Sequence, residues 1–246
     1  MSCNGLSSQV FVRVDHFALN LASEDKKSTF VIVKRIGMQV NQPRQYAISD
    51  MLEAEIKALQ SIPQTNDYER AIGIILEYIH EGRGRLITSG MGKAGQIALN
   101  IATTFSSTGT PAYFVHPSEA QHGDLGMVCP GDVLLIISNS GKTREVLELV
   151  ELARQMIPDI PTILITGKVD SPLASMVDVC LSTGNPPEIC PLGLTPTTST
   201  TVMTVLGDLL VVSVMQRIGF GHHEYALRHH GGYLGAKSRE EARNSK

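Results

Sequence analysis

Tryptophan is absent from this chain, and aromatic residues of every kind make up 5% of it. Flat stacking platforms for bases or sugar rings are therefore scarce. Excess positive charge is absent as well. The formal net charge is −3 over 246 residues, and no basic cluster stands out, which argues against nucleic acid as the main partner. Cysteine is sparse and unpatterned: Cys3, Cys129, Cys180 and Cys190 have no CxxC spacing. With Cys129 and Cys180 beside apolar runs, these read as buried thiols of a reduced, cytoplasmic protein rather than a disulfide framework. No basic segment followed by an apolar block opens the chain, so no secretory signal is expected. The apolar run over 201–215 is interrupted by Asp208 and is read as a buried helix rather than a membrane span. What remains is a composition 42% hydrophobic and 18% charged, that of a soluble globular protein.

Residues 1–46 carry the weakest pattern and stand as an N-terminal extension open to three readings. Val10–Val14 and 29–33 could pair as strands across a turn at 23–27. The segment could instead be a disordered extension, or an overextended start ahead of Met38. Beyond it, Ile48, Met51, Leu52, Ile56 and Leu59 recur at helical spacing, and Pro63 ends the run. Asn66-Asp67 cap a second helix that carries Ala71, Ile72, Ile75 and Ile79 and closes at Gly82 and Gly84. These two predict a helical hairpin.

Strand-like runs then alternate with helical ones. The strands fall at 85–89, 112–115, 132–138, 161–166 and 177–182, and the helices at 93–107 and 143–156, with a loop or short helix at 117–124. The pattern predicts an α/β fold: a three-layer αβα sandwich around a mainly parallel five-stranded sheet. A Thr-rich loop and a long apolar helix over 197–217 follow. The domain is expected to span 47–240, with 241–246 as a tail.

The densest chemistry lies in Ser138-Asn139-Ser140-Gly141-Lys142-Thr143, between a strand and a helix start. Backbone N–H groups and the helix dipole favour an anion there. Three hydroxyls around a glycine suit a phosphate monoester. A Walker A loop is ruled out, because Ile136 stands where its first glycine belongs. Gly90-Met91-Gly92-Lys93-Ala94-Gly95 has the G-x-G-x-x-G form, but the next strand ends Val115-His116-Pro117, without the acid a dinucleotide needs. This turn is read as a second wall of the crevice, with Ser89 near the phosphate and Lys93 near developing negative charge. The helix dipole disfavours a cation at Lys93, which points to an anionic partner.

His116 and His122, with Glu119 and Asp124, crowd the loop after the second strand, either as a metal site or as support for the phosphate site. Glu145 falls in a first helical turn, where the dipole alone would explain an acid. Glu188 sits among prolines in a rigid loop, a better position for catalysis. Thr195 to Thr201 supply hydroxyls for a helix cap or for sugar contacts. His222, His223, His229 and His230 cluster near the C-terminal end, where one could transfer protons near neutral pH.

Together these residues resemble a sugar isomerase (SIS) domain, and most closely its arabinose-5-phosphate isomerase branch. The resemblance is carried by Ser107-Thr108-Gly109-Thr110-Pro111-Ala112, His116-Pro117-Ser118-Glu119-Ala120, His122-Gly123-Asp124-Leu125-Gly126-Met127, Cys190-Pro191, Pro196-Thr197-Thr198-Ser199-Thr200 and Leu234-Gly235-Ala236. It implies a catalytic set of Lys93, Glu145, Glu188 and His229. His122 would be a further active-site histidine and the best metal candidate. Substrate contacts would come from Ser89, Gly90, Ser138, Asn139, Ser140 and Thr143.

The implied reaction interconverts D-ribulose 5-phosphate and D-arabinose 5-phosphate through an enediolate, feeding Kdo synthesis for lipopolysaccharide or capsule. Glu145 or Glu188 would be the principal base, His229 would serve oxygen protons or ring opening, and Lys93 would stabilise charge. The resemblance further implies a homotetramer whose His229 acts on a neighbour's substrate, with no nucleic-acid or membrane partner. No redox cofactor is required, while an inhibitory divalent metal and CMP-Kdo as a feedback ligand are expectations. Two departures stand out: no counterpart of the paired CBS domains of many members, and His230 where the family usually has proline. The competing readings are a non-catalytic phosphosugar-binding regulator and an isomerase of another sugar phosphate.

Overall fold

The computed structural model describes residues 46–244 in full and, before them, the backbone of two strands. The chain divides into two units, 1–45 and 46–246. In the first, β1 (Val10–Val14) pairs antiparallel with β2 (Phe17–Leu21), Val14 opposite Phe17. The strand expected at 29–33 lies outside the described residues, and the partner of β1 is 17–21 instead. Pairing with the nearest run in sequence costs the least loop entropy.

The second unit opens with α1 (Ile48–Gln60) and α2 (Tyr68–Ile75), the latter continuing as a π-helix over Leu76–Gly82. Asp67 caps α2 by accepting from the Arg70 N–H. Then come β3 (Leu86–Gly90), α3 (Gly92–Ser107), β4 (Ala112–Phe114), the single turn α4 (Pro117–Ala120), β5 (Val133–Ile137), α5 (Arg144–Met156), β6 (Thr162–Thr166) and β7 (Val179–Ser182). The long α6 (Thr198–Arg217) and the packed pair α7 (His222–Arg228) and α8 (Gly232–Asn244) complete it. The five strands form one parallel sheet in the order β4-β3-β5-β6-β7. Both faces are covered, as the continuous Ile/Leu/Val runs of β3, β5 and β6 require.

Alternate side chains divide between two cores. Leu86, Leu135, Ile137, Ile163 and Ile165 pack with α1, α2, α3 and α6. Ile87, Leu134, Ile136 and Leu164 pack with α4 and α5. The two leading helices, α1 and α2, each lie against α6. Among the described residues α6 is the one helix long and apolar enough to cross a membrane, and half of it is buried inside this core. Gly207 of α6 faces Ile101 of α3, where a Cβ would collide with that side chain. Of the cysteines, Cys129 is exposed and Cys180 and Cys190 are half-buried. The expectation of buried thiols fails because Cys129 belongs to the turn before β5, where its N–H donates to Asp132.

Asp132 fixes the other end of the sheet. It is 1% exposed and accepts from the Arg85 N–H at 2.8 Å, the Cys129 N–H at 2.9 Å and the Arg85 guanidinium at 2.7 and 3.1 Å. This ties the start of β3 to that of β5. Asp132→Ala leaves buried donors without an acceptor, and the loss of stability should be about 2–3 kcal/mol. Urea unfolding measures it, and an unchanged midpoint would show that the tie contributes nothing.

Candidate functional site

The sheet order reverses at β3. The chain leaves β3 by α3 toward β4, then returns to β5 on the other side of β3, and leaves β5 by α5 on the opposite face. A crevice opens beyond the C-terminal ends of two adjacent strands whose connections diverge in this way. The glycine turn 90–95 and the loop 138–143 are those two connections.

Glycines make the approach. A Cβ on Gly95 would lie 2.5 Å from the Gly90 carbonyl, and one on Gly90 2.8 Å from that of Ile137. Gly141 holds φ +59° and faces Ser171, whose side chain occupies the place a Cβ would need.

The crevice holds a cavity of about 340 Å³. Its walls include Lys93, Ser138, Asn139, Ser140 and Thr143, with Lys168, Ser199, Thr200 and Met203. The first turns of α3 and α6 and the residue before α5 all contribute, so three helix N-termini point their positive ends at one space. Among the described residues two lysines line it and no carboxylate does. Ser138 Oγ and Asn139 Oδ1 are buried and have no partner, an arrangement that costs free energy unless a ligand supplies one. An anion with several acceptor oxygens fits the Ser138 hydroxyl and the two lysines, and a ligand that also carries hydroxyls fits the Asn139 oxygen.

The expected residues separate on inspection. Lys93, Ser138, Asn139, Ser140 and Thr143 converge on the cavity. Ser89 does not: it is fully buried, and its hydroxyl donates to the Val115 carbonyl at 2.6 Å. Gly90 makes the close approaches to Gly95 and Ile137 and is not among the residues that line the cavity. His122 is exposed in the turn after α4, and among the described residues no group of three or more His, Cys, Asp or Glu could hold a metal ion. Glu145 is half-buried in the first turn of α5 and outside the cavity wall. His229 lies at the end of α7, stacked on Tyr225 at 3.8 Å, with Nδ1 3.1 Å from the Tyr225 carbonyl.

Glu188 serves α6. Its Oε2 accepts from the Thr197 N–H at 2.7 Å, the Thr197 hydroxyl at 3.1 Å and the Ser199 N–H at 3.3 Å. Burial would raise its pKa, but the hydrogen bonds from Ser199 and Thr197 outweigh it and hold the carboxyl below its ordinary 4.5. A low-pKa carboxylate is a weak base at neutral pH. Glu55 of α1 reaches the same helix end, accepting from the Thr198 hydroxyl at 3.1 Å.

Lys168 was missed in the sequence because a lysine in a loop after a strand carries no pattern. Cys190, expected as a buried thiol and as part of the Cys190-Pro191 motif, is half-buried. Its sulfur accepts from the Thr195 N–H at 3.1 Å and the Leu194 N–H at 3.2 Å, which brings its pKa down to about 7.

A profile of the SIS domain matches residues 79–213. Arabinose 5-phosphate isomerase KdsD of Yersinia pestis is 43% identical over 195 residues, 78% of this chain and 58% of that protein. The protein of the same name from Escherichia coli K12 is 48% identical over 155 residues, 63% of this chain and 47% of that one. The chain thus spans about half to three-fifths of these relatives' length. Among solved structures, a candidate phosphosugar isomerase involved in capsule formation from Bacteroides fragilis is 62% identical. It covers 76% of this chain and 97% of its own, with TM-score 0.74. An Escherichia coli CFT073 protein in complex with arabinose 5-phosphate is 30% identical, over 82% of this chain and 98% of its own, with TM-score 0.67.

Two outcomes follow from these contacts. Glu188→Ala should lower stability by about 1 kcal/mol at pH 7, the usual worth of a cap. Because the folded carboxyl has the lower pKa, this stabilisation is present above 4.5 and is lost as pH falls through the folded value. Unfolding at pH 7 and pH 3 tests this, and an equal penalty at both would remove the charge from the account. Iodoacetamide near pH 7.5 should label Cys190 before Cys180, whose pKa burial raises. Peptide mass spectrometry reads the order, and faster Cys180 labelling would contradict it.

Proposed function

The chain belongs to the SIS-domain family, and from that premise we propose that it interconverts D-ribulose 5-phosphate and D-arabinose 5-phosphate. The observation that carries this reading is the cavity at the switch point. It offers hydroxyls, helix N-termini and two lysines, and no acid, to an anionic ligand. The phosphate would rest on the loop 138–143, with Ser138 Oγ supplying one of its hydrogen bonds. This anchoring directs the other end of the sugar toward the Gly90 turn.

Isomerisation moves a proton between C1 and C2 and leaves negative charge on the enediolate oxygens. Lys93 is the group suited to that charge. In one chain the acid/base residues are not gathered with it. Glu188 is committed to the start of α6, which favours an orienting role over that of principal base. Glu145 and His229 stand outside the cavity wall. We therefore assign completion of the site to a homotetramer in which a second copy brings His229 to the substrate, with Glu145 as the carbon base.

The isomerisation requires no redox cofactor. Its product would enter Kdo synthesis in the cytoplasm, with CMP-Kdo or an inhibitory divalent metal acting as regulatory ligands. Relatives named arabinose 5-phosphate isomerase support the choice of sugar, as does the neighbour crystallised with arabinose 5-phosphate.

The test is direct. Purified protein incubated with ribulose 5-phosphate should yield arabinose 5-phosphate by NMR, and Lys93→Ala should reduce kcat by about 100-fold or more, the usual effect of removing a charge-stabilising donor. An unchanged sugar pool sinks the enzyme reading, and tight binding without turnover would make the protein a regulator.

A further inference from the structure

We propose that Lys168 is a second ligand-binding cation, holding the phosphate from the side of the 138–143 loop opposite Lys93. The topology sets this up. β5 lies between β3 and β6 in the sheet. The residues that follow those two strands therefore flank the residues that follow β5. Lys93 comes from the β3 side and Lys168 from the β6 side, and both line the same cavity.

The backbone of Lys168 is tied to the phosphate loop. Its N–H donates to Thr166 Oγ1 at 3.1 Å, and that hydroxyl donates to the Asn139 carbonyl at 3.3 Å. The neighbouring Gly167 N–H donates to the same carbonyl at 3.1 Å. A Cβ at Gly167 would lie 2.5 Å from Asn139 Oδ1, so the glycine allows the β6 end to press against the loop. Thr166 is fully buried. Lys168 and Asn139 are thus held as one unit, while the Lys168 ammonium itself makes no ion pair among the described residues.

The charge balance asks for such a group. A phosphate monoester carries close to two negative charges near neutral pH. The hydroxyls of the loop are dipoles without net charge. Ser138 Oγ and Asn139 Oδ1, on the loop to which the Lys168 segment is tied, are buried without partners and belong to residues that line the same cavity as Lys168. Lys93 stands on the Gly90 side, where the sugar end is directed. The two lysines would divide the ligand: Lys168 acts in binding, and Lys93 on charge that develops during reaction.

This assignment rests on the isomerase reading for its sugar but not for its phosphate, and the experiment separates the two. Lys168→Ala should raise KM for ribulose 5-phosphate roughly tenfold, the worth of one charge-assisted hydrogen bond, with kcat falling by less than about twofold. It should also weaken the thermal stabilisation given by inorganic phosphate, and Lys168→Arg should restore most of both. Lys93→Ala should show the reverse: a lower kcat with phosphate stabilisation retained. Unchanged phosphate stabilisation in Lys168→Ala overturns the assignment, as does a fall in kcat at constant KM. Phosphate stabilisation that is lost in Lys168→Ala, in a wild-type protein that turns over no sugar phosphate, upholds Lys168 and removes the isomerase.

Discussion

At the end of β3 the Gly90 carbonyl stands 2.5 Å from where a Cβ on Gly95 would be. Strand and helix can meet there only backbone to backbone, and the cavity depends on that approach. Any side chain at Gly90 or Gly95 would push the first turn of α3 away from the sheet. Lys93 rides on that turn. The same displacement would separate it from the β5 loop, since Gly90 also packs against the Ile137 carbonyl. The parallel register that places Gly90 beside Ile137 is in turn held at its other end by Asp132 and Arg85. A staple at one end of two strands and an absence of side chains at the other thus fix one crevice.

What fills the crevice follows from its electrostatics. Three helices begin at its edge, and the positive ends of their dipoles add. Glu188 satisfies the start of α6, which leaves the starts of α3 and α5, together with Lys93 and Lys168, facing the open space. Lys93 on a first helical turn is unfavourable in isolation. It would become favourable beside negative charge that develops on a ligand.

The sheet was legible because burial on both faces demands uninterrupted apolar runs. The 132–138 and 161–166 runs appear as β5 and β6 with ends shifted by a residue. The place of the 138–143 loop was legible because hydroxyls around a glycine at a strand end favour a tight turn before a helix, and four of its residues line the cavity. Ser89 was misread, since its position beside the glycine turn says nothing about which way a strand residue points. It points into the second core, to the Val115 carbonyl. Glu188 looked free in a proline-rich loop because the helix it caps begins ten residues later. Val10–Val14 pairs with the run two residues on, Phe17–Leu21.

The least legible part is where the expected acid/base residues stand, and the reason is geometric. Loops after adjacent strands of one sheet bring cations and hydroxyls together within a single chain, and the order of the strands predicts that meeting. Glu145 and His229 belong to helices whose positions follow from packing rather than from strand order. His229 is set by its stack on Tyr225, and its carbonyl by close contact with Gly235 of α8. A helical pair held mainly through its own contacts presents its histidine independently of the sheet. Binding chemistry is therefore written in the loops of one chain. In the proposed homotetramer the acid/base chemistry would depend on where the α7–α8 pair of one copy meets the cavity of another, which a reading strand by strand does not contain.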